Sequence, residues 1–247
     1  MAFSCVDALE KGIGVPQAED RRRGPIFVES IEPKVKDGQA VRKRCLGSRT
    51  PEDSGRPFPH GESVVCSEGW GNRARIVSLE PGDVPRAADV IRHAFATVAE
   101  TFGLTEENCP TNGAFLHDGR LAADVERGTA LYGLFEAEEL GGIVALRRED
   151  AVFHLEKLSV APWLRKRGYG GALVEHAVEE ARKAGAERVR IGVMYENREL
   201  VRWYERRGFV RTETRAFAHL PFVVCFMVRR LRERDDCGIV RAHSGDD

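Results

Sequence analysis

Between residues 151 and 185 a strand-like run, a basic glycine loop and an amphipathic helix follow one another: AVFHLEKLSV (151–160), RKRGYGG (165–171) and GALVEHAVEEARKAG (171–185). No other stretch restricts the fold as strongly. In the helical segment Leu173, Val174, Ala177, Val178, Ala181 and Ala184 share one face. Glu175, Glu179, Glu180, Arg182 and Lys183 fall mostly on the other, and Gly185 is placed to cap the C-terminus. The loop thus stands where an anion meets unsatisfied N–H groups at a helix start. Gly168, Gly170 and Gly171 let the backbone bend and an oxygen approach it closely, while Arg165, Lys166 and Arg167 add positive charge. A solvated basic turn is the competing reading.

Two phosphate loops are excluded. A P-loop requires Gly-Lys-Ser/Thr, which occurs nowhere in the chain. A dinucleotide fingerprint requires its third glycine where Leu173 stands, and about seven residues separate Val160 from Gly168.

Around this unit the periodicity predicts a mixed α+β order. A strand over 73–81 leads through Pro-Gly-Asp into a helix over 84–102. That helix is capped by Asp83, with Val90, Ile91, Phe95, Val98 and Phe102 at helical spacing. Residues 103–128 are less regular. Runs at 129–137, 141–149 and 151–160 read as an antiparallel meander. After the glycine loop and its helix come a strand over 188–194, a short helix over 198–207 capped by Asn197 and closed by Gly208, and strands over 209–215 and 222–230.

Residues 1–72 read as a disordered N-terminal extension, because 47–63 (GSRTPEDSGRPFPHGES) is rich in Gly, Pro, Ser and charge without an apolar period. The folded domain is expected over 73–232, with a flexible tail over 233–247. The 247 residues, 42% hydrophobic and 31% charged with a formal net charge of -1, suit a globular protein and give no basic excess for nucleic acid. No apolar run has the length to span a bilayer, and the first residues lack the pattern of a secretory signal. Cytoplasmic placement, with no membrane partner, is the expectation. The six cysteines show no C-x-x-C and no close pairing with histidine, so free thiols and no metal are expected.

The run LSVAPWLRKRGYGGALVEHA, with R-x-x-G-x-G at 165–170, resembles the acetyl-coenzyme A loop of the GNAT superfamily of N-acetyltransferases. ENRELVRWYERRGF (196–209) is similar to that superfamily's next signature, Asn followed seven residues later by Tyr and then x-x-x-Gly-Phe. The two stand in the expected order with a strand between. The resemblance covers roughly 73–232 and implies a GNAT-type, mostly antiparallel central sheet flanked by helices.

For the site, the resemblance implies that Arg165, Gly168, Gly170 and Gly171 hold the coenzyme pyrophosphate. Lys166 and Arg167 add looser attraction, with Tyr169 and Ala172 continuing the helix start. Backbone groups of Leu158, Ser159 and Val160 line the pantetheine arm, and Asn197 either bonds that arm, caps its helix, or does both. Tyr204 is the candidate general acid, against the plainer reading of a packing residue beside Leu200, Val201 and Phe209. Glu156 is the candidate base. Counting by two puts it on one face with His154, Leu158 and Val160, an apolar setting that suits proton uptake. A glutamate merely paired with a lysine or arginine is the alternative, His154 is the rival base, and His219 is placed to line the acceptor site. These readings point to acetyl transfer from acetyl-coenzyme A to a primary amine of a small molecule, by direct attack in a ternary complex. Acetylation of a protein amine, or a non-catalytic coenzyme A-binding module, stand as alternatives. A homodimer stays open.

Overall fold

The structure, a computed structural model, describes residues 74–231. The expectations for 1–72 and 233–247 lie outside the described residues.

Seven strands form one sheet: β1 (Ala74–Ser78), β2 (Ala130–Glu136), β3 (Glu139–Glu149), β4 (Val152–Val160), β5 (Arg188–Met194), β6 (Val210–Ala216) and β7 (Val223–Arg230). Their order is β1-β2-β3-β4-β5-β7-β6, and every neighbouring pair is antiparallel except β4 and β5. Four helices flank it: α1 (Val84–Phe102), α2 (Asp118–Glu126), α3 (Tyr169–Lys183) and α4 (Arg198–Glu205). Ile91 and Phe95 of α1 and Leu121 of α2 pack on one face with Leu131, Ile143 and Ala145. Leu173, Val174 and Ala177 of α3 and Val201 of α4 pack on the other with Leu134, Val144 and Leu155. The mixed, mostly antiparallel sheet expected from the sequence is the one observed.

The local departures have physical causes. The α1 register was legible, and the helix stops at Gly103 in the left-handed region. Asp83 does not cap it with its side chain: the carboxylate accepts from the Glu80 amide at 3.1 Å and closes the preceding 3-10 turn. Helix α2 lies within the stretch read as irregular. Its nine residues bury only Leu121 and Asp124, too little apolar repetition to register as a helical period. Helix α3 begins at Tyr169, so Gly170 and Gly171 form its first turn rather than the loop before it.

A bulge in β4 decides the site. Pairing runs Ala145 with Glu156 and Ile143 with Ser159, so β4 carries one residue more than β3 here. Lys157 absorbs it at φ +51, a left-handed conformation uncommon for a residue with a side chain. The bulge overturns the two-residue count. Leu155 and Leu158 sit in the same cluster on the α3 side, whereas Glu156 pairs with Ala145 of the α1-side cluster. Glu156 does not share a face with Leu158 and Val160.

The parallel ladder is short. Only Val152–His154 pair with Arg188–Arg190, and beyond them β4 and β5 part.

Two buried histidines make stability depend on pH. His176 on α3 meets the Tyr132 ring edge-on at 4.7 Å, and neither ring nitrogen has a hydrogen-bond partner. Burial pushes its pKa down, and burial together with the Arg147 charge pushes that of His154 down. Unfolding lets both bind protons they exclude when folded. Stability is therefore fully present above the unfolded value of about 6.5 and is lost as pH falls toward the depressed folded values. A melting temperature that drops on acidification below about 6.5 is expected. In His176→Leu the drop should be shallower; an unchanged slope would show that His176 does not contribute.

Candidate active site

At the C-terminal end of β4 a cavity of about 400 Å³ opens, lined among others by Leu158, Val160, Gly170, Asn197, Leu200 and Trp203. The glycine loop forms one side of its mouth. Gly168 takes φ +85 as the residue before α3, a conformation that costs glycine nothing and other residues considerably more. Lys166 is also left-handed at φ +64 and is exposed. The Ala172 amide donates to the Gly168 carbonyl at 3.2 Å as the helix gets under way. A Cβ on Gly170 would lie 3.5 Å from the Trp203 ring, and a valine there would extend into the cavity mouth. Asn197 Oδ1 accepts from the Leu200 amide at 3.1 Å, so the cap expected for α4 is present, and the residue also faces the cavity.

The three cations of the loop have different surroundings. Arg167 pairs with Glu136 at 2.9 Å, and Tyr169 donates its hydroxyl to the same carboxylate at 2.7 Å. Arg165 turns inward. It donates from Nε to the Val160 carbonyl (3.1 Å), from Nη1 to Thr97 Oγ1 (3.0 Å) and from Nη2 to the Ala94 carbonyl (2.8 Å). The resemblance assigned it to the pyrophosphate. In this structure its side chain ties the loop to α1 while the residue still lines the cavity, and burial lowers its pKa. Arg165→Met should cost about 1–3 kcal/mol, since it removes three charged hydrogen bonds to partly buried acceptors. Chemical denaturation would measure this, and a loss under about 0.5 kcal/mol would mean the tie is not structural.

Tyr204 is completely buried on α4, edge-on to Trp203 at 4.8 Å and to Phe209 at 5.5 Å. Its hydroxyl has no hydrogen-bond partner. Burial drives the phenol pKa far above its ordinary value, so the group keeps its proton. The packing reading is thus realised in the ring, while the oxygen is left without a protein partner.

Glu156 is buried in a chain of charges rather than among apolar side chains. Its Oε1 accepts from Arg147 Nε at 3.2 Å, and its Oε2 lies 3.5 Å from Lys157 Nζ. Lys157 reaches Asp124 of α2 at 2.8 Å, and Asp124 is bonded to Arg127. The pairing named as the alternative reading is present, although β4 is central in the sheet. His154 sits 2.7 Å from Glu149 through Nε2. Ser159 is fully buried and donates its hydroxyl to the Lys157 carbonyl at 2.9 Å, bracing the bulge. His219 is exposed beside Phe217. The described cysteines, Cys109 and Cys225, are free thiols. Sequence reasoning missed Asp124, Arg147, Trp203 and Arg207. The last two lie within the second signature, but nothing in the sequence marks Asp124.

A glycine loop at a helix start, beside a mixed sheet whose central parallel pair parts, presents backbone N–H groups where an anion such as a phosphate can be held. Residues 99–209 match the acetyltransferase (GNAT) family model. An uncharacterised N-acetyltransferase, YvbK of Bacillus subtilis, is 31% identical over 86 residues, which are 34% of this chain and 55% of that protein. The chain thus spans about half the length of this curated relative. The fold is shared with the Escherichia coli ribosomal-protein-S18-alanine N-acetyltransferase (TM-score 0.53, 19% identity, 66% of this chain and 97% of that one). It is also shared with yncA of Salmonella typhimurium, a putative acetyltransferase determined with acetyl-CoA (TM-score 0.53, 18% identity, 66% and 97%). Over residues 99–209 the chain is thus similar to the GNAT family, and the described residues share the fold of these acetyltransferases. Among the described residues no helix is long and apolar enough to cross a membrane.

Proposed function

We propose that the protein is an acetyl-coenzyme A-dependent N-acetyltransferase acting on the primary amine of a small molecule by direct attack in a ternary complex. The observation that carries the reading is the orphaned Tyr204 hydroxyl, buried on α4, the helix whose Leu200 and Trp203 line a cleft with a glycine loop at the start of α3 at its mouth. Bound acetyl-coenzyme A would supply an activated thioester and a thiol leaving group.

The residues present fit that group. Gly168, Gly170 and Gly171 leave the backbone N–H groups at the start of α3 uncovered for phosphate oxygens. The β4 segment Leu158–Ser159–Val160 lies beyond the last β4–β5 pair, so its backbone is not committed to that ladder. Asn197 faces the same cleft. Tyr204 holds its proton and has it free to donate to the leaving sulfur. Glu156 takes the ammonium proton, directly or through water. Tyr204 belongs to the α3 side of the sheet and Glu156, paired with Ala145, to the α1 side, so in this reading the substrates bridge the two sides beyond the last β4–β5 pair. Positioning amine and acetyl group there supplies much of the rate by itself. Support for a small acceptor is the cover that 103–128 lays over the α1 side, where α2 is bound through Asp124 to Lys157.

The test is a panel of amines and peptides read by release of free thiol. Acetylation of small amines with peptides inert supports the reading; the reverse result replaces it with a protein acceptor. No turnover with coenzyme bound would indicate a non-catalytic module. Gly170→Val should weaken acetyl-coenzyme A binding by about tenfold or more in calorimetry while the fold is retained, and unchanged affinity would remove the loop from the site.

A further inference from the structure

Arg207 falls at an unspecified position of the second signature, between Tyr204 and Gly208-Phe209, and sequence reasoning gives it no role. In the structure its guanidinium lies 3.5 Å from the centroid of the Trp203 ring and donates from Nη1 to the Trp203 carbonyl at 3.1 Å. A Cβ on Gly171 would stand 2.7 Å from its Nη2, so the guanidinium rests on the bare first turn of α3. It lines the cavity with Lys166 and Gly170. It is half-buried, and that burial disfavours its charge. Among the described residues it has no ion pair. Glu175, the acid that acts on it electrostatically, is itself bonded to Arg229 at 2.7 Å. Arg165 is committed to protein carbonyl and hydroxyl oxygens and Arg167 to Glu136, whereas Arg207 keeps a partly desolvated charge with no anion. Such a charge is costly unless an anion joins it.

We propose that Arg207 is a phosphate ligand, held flat against Trp203 so that its fork takes oxygens of a coenzyme phosphate beside Gly171. The proposal rests on the coenzyme reading above. Guanidinium binds phosphate oxygens in pairs, and stacking on the indole removes the freedom it would otherwise lose on binding. The shared chemistry is a phosphate next to the start of α3. Two groups of the coenzyme offer it, the diphosphate bridge and the 3′-phosphate of the ribose.

The experiment compares the wild-type protein with Arg207→Gln and Arg207→Lys in calorimetric titrations with coenzyme A, 3′-dephospho-coenzyme A and S-acetylpantetheine. Arg207→Gln should weaken coenzyme A binding by about tenfold or more, and Arg207→Lys by less, because it keeps the charge without the fork. The coenzyme A affinity of the wild type should also fall more steeply with salt than that of Arg207→Gln. S-acetylpantetheine should bind all three proteins alike. If 3′-dephospho-coenzyme A shows the same loss, the phosphate is the diphosphate; if its loss disappears, it is the 3′-phosphate. Equal losses for coenzyme A and S-acetylpantetheine, or no loss for coenzyme A, would overturn the proposal. A wild-type protein that binds no coenzyme A would overturn the coenzyme reading itself, which is a different result.

Discussion

Tyr204→Phe is expected to slow the chemical step by about a hundredfold, near the lower end of general-acid contributions, without destabilising the free protein. The two effects separate because the Tyr204 oxygen has no hydrogen-bond partner in the structure. Removing a buried, unpartnered hydroxyl takes away a desolvation penalty, so the free variant should be as stable as the parent or up to about 1 kcal/mol more stable. The ring contacts with Trp203 and Phe209 are retained. With coenzyme bound the gain should vanish, since the parent hydroxyl then has a partner. The rate deficit should shrink as pH rises, because a thiol with a pKa near ~8.5 leaves increasingly well without a proton donor. Stopped-flow measurement of the acetyl-transfer step is required, since slow product release would mask the loss. A chemical step of unchanged rate would leave Tyr204 as a packing residue, and water would supply the proton.

The second large effect is on stability. Lys157→Met should cost about 3–5 kcal/mol, the range for breaking a buried ion pair from one side. Lys157 is almost fully buried, and it lies between Asp124, 2.8 Å away, and Glu156, 3.5 Å away, both equally buried. The substitution leaves two carboxylates with less compensation than they had. Asp124 keeps Arg127, which is more than half exposed, and Glu156 keeps Arg147. Adding Asp124→Asn to Lys157→Met should restore part of the loss, because it removes one of the two stranded charges. Denaturant midpoints for the two variants and the parent decide the matter. A loss below about 1 kcal/mol would show that water already solvates these groups.

How much of this was legible in the sequence differs by element. The helices at 84–102, 171–185 and 198–207 and the strands of the sheet other than β6, which is exposed throughout, carried an apolar pattern of their own. The R-x-x-G-x-G loop and the Asn-to-Tyr spacing were readable because each lies within about a dozen consecutive residues. Helix α2 was not readable, because it buries one leucine and an aspartate and so lacks a period. Asp124 gains meaning only because Lys157, far along the chain, ends beside it.

The sequence by itself determined the glycines at 168, 170 and 171, the Asn197 cap and the presence of Tyr204. Each depends on a residue type at a short, fixed spacing. The tertiary structure alone decided which way the charged and polar side chains turn. One bulge at Lys157 moved Glu156 to the α1 side and into contact with Arg147, although plain alternation aligned it with Leu158. Packing against α1 tied the Arg165 side chain to protein oxygens, and the Trp203 ring laid Arg207 across Gly171. The physical reason is that alternation holds only while strand pairing is regular. The direction of a long cationic side chain, in turn, is set by which acceptors and rings the fold brings within reach.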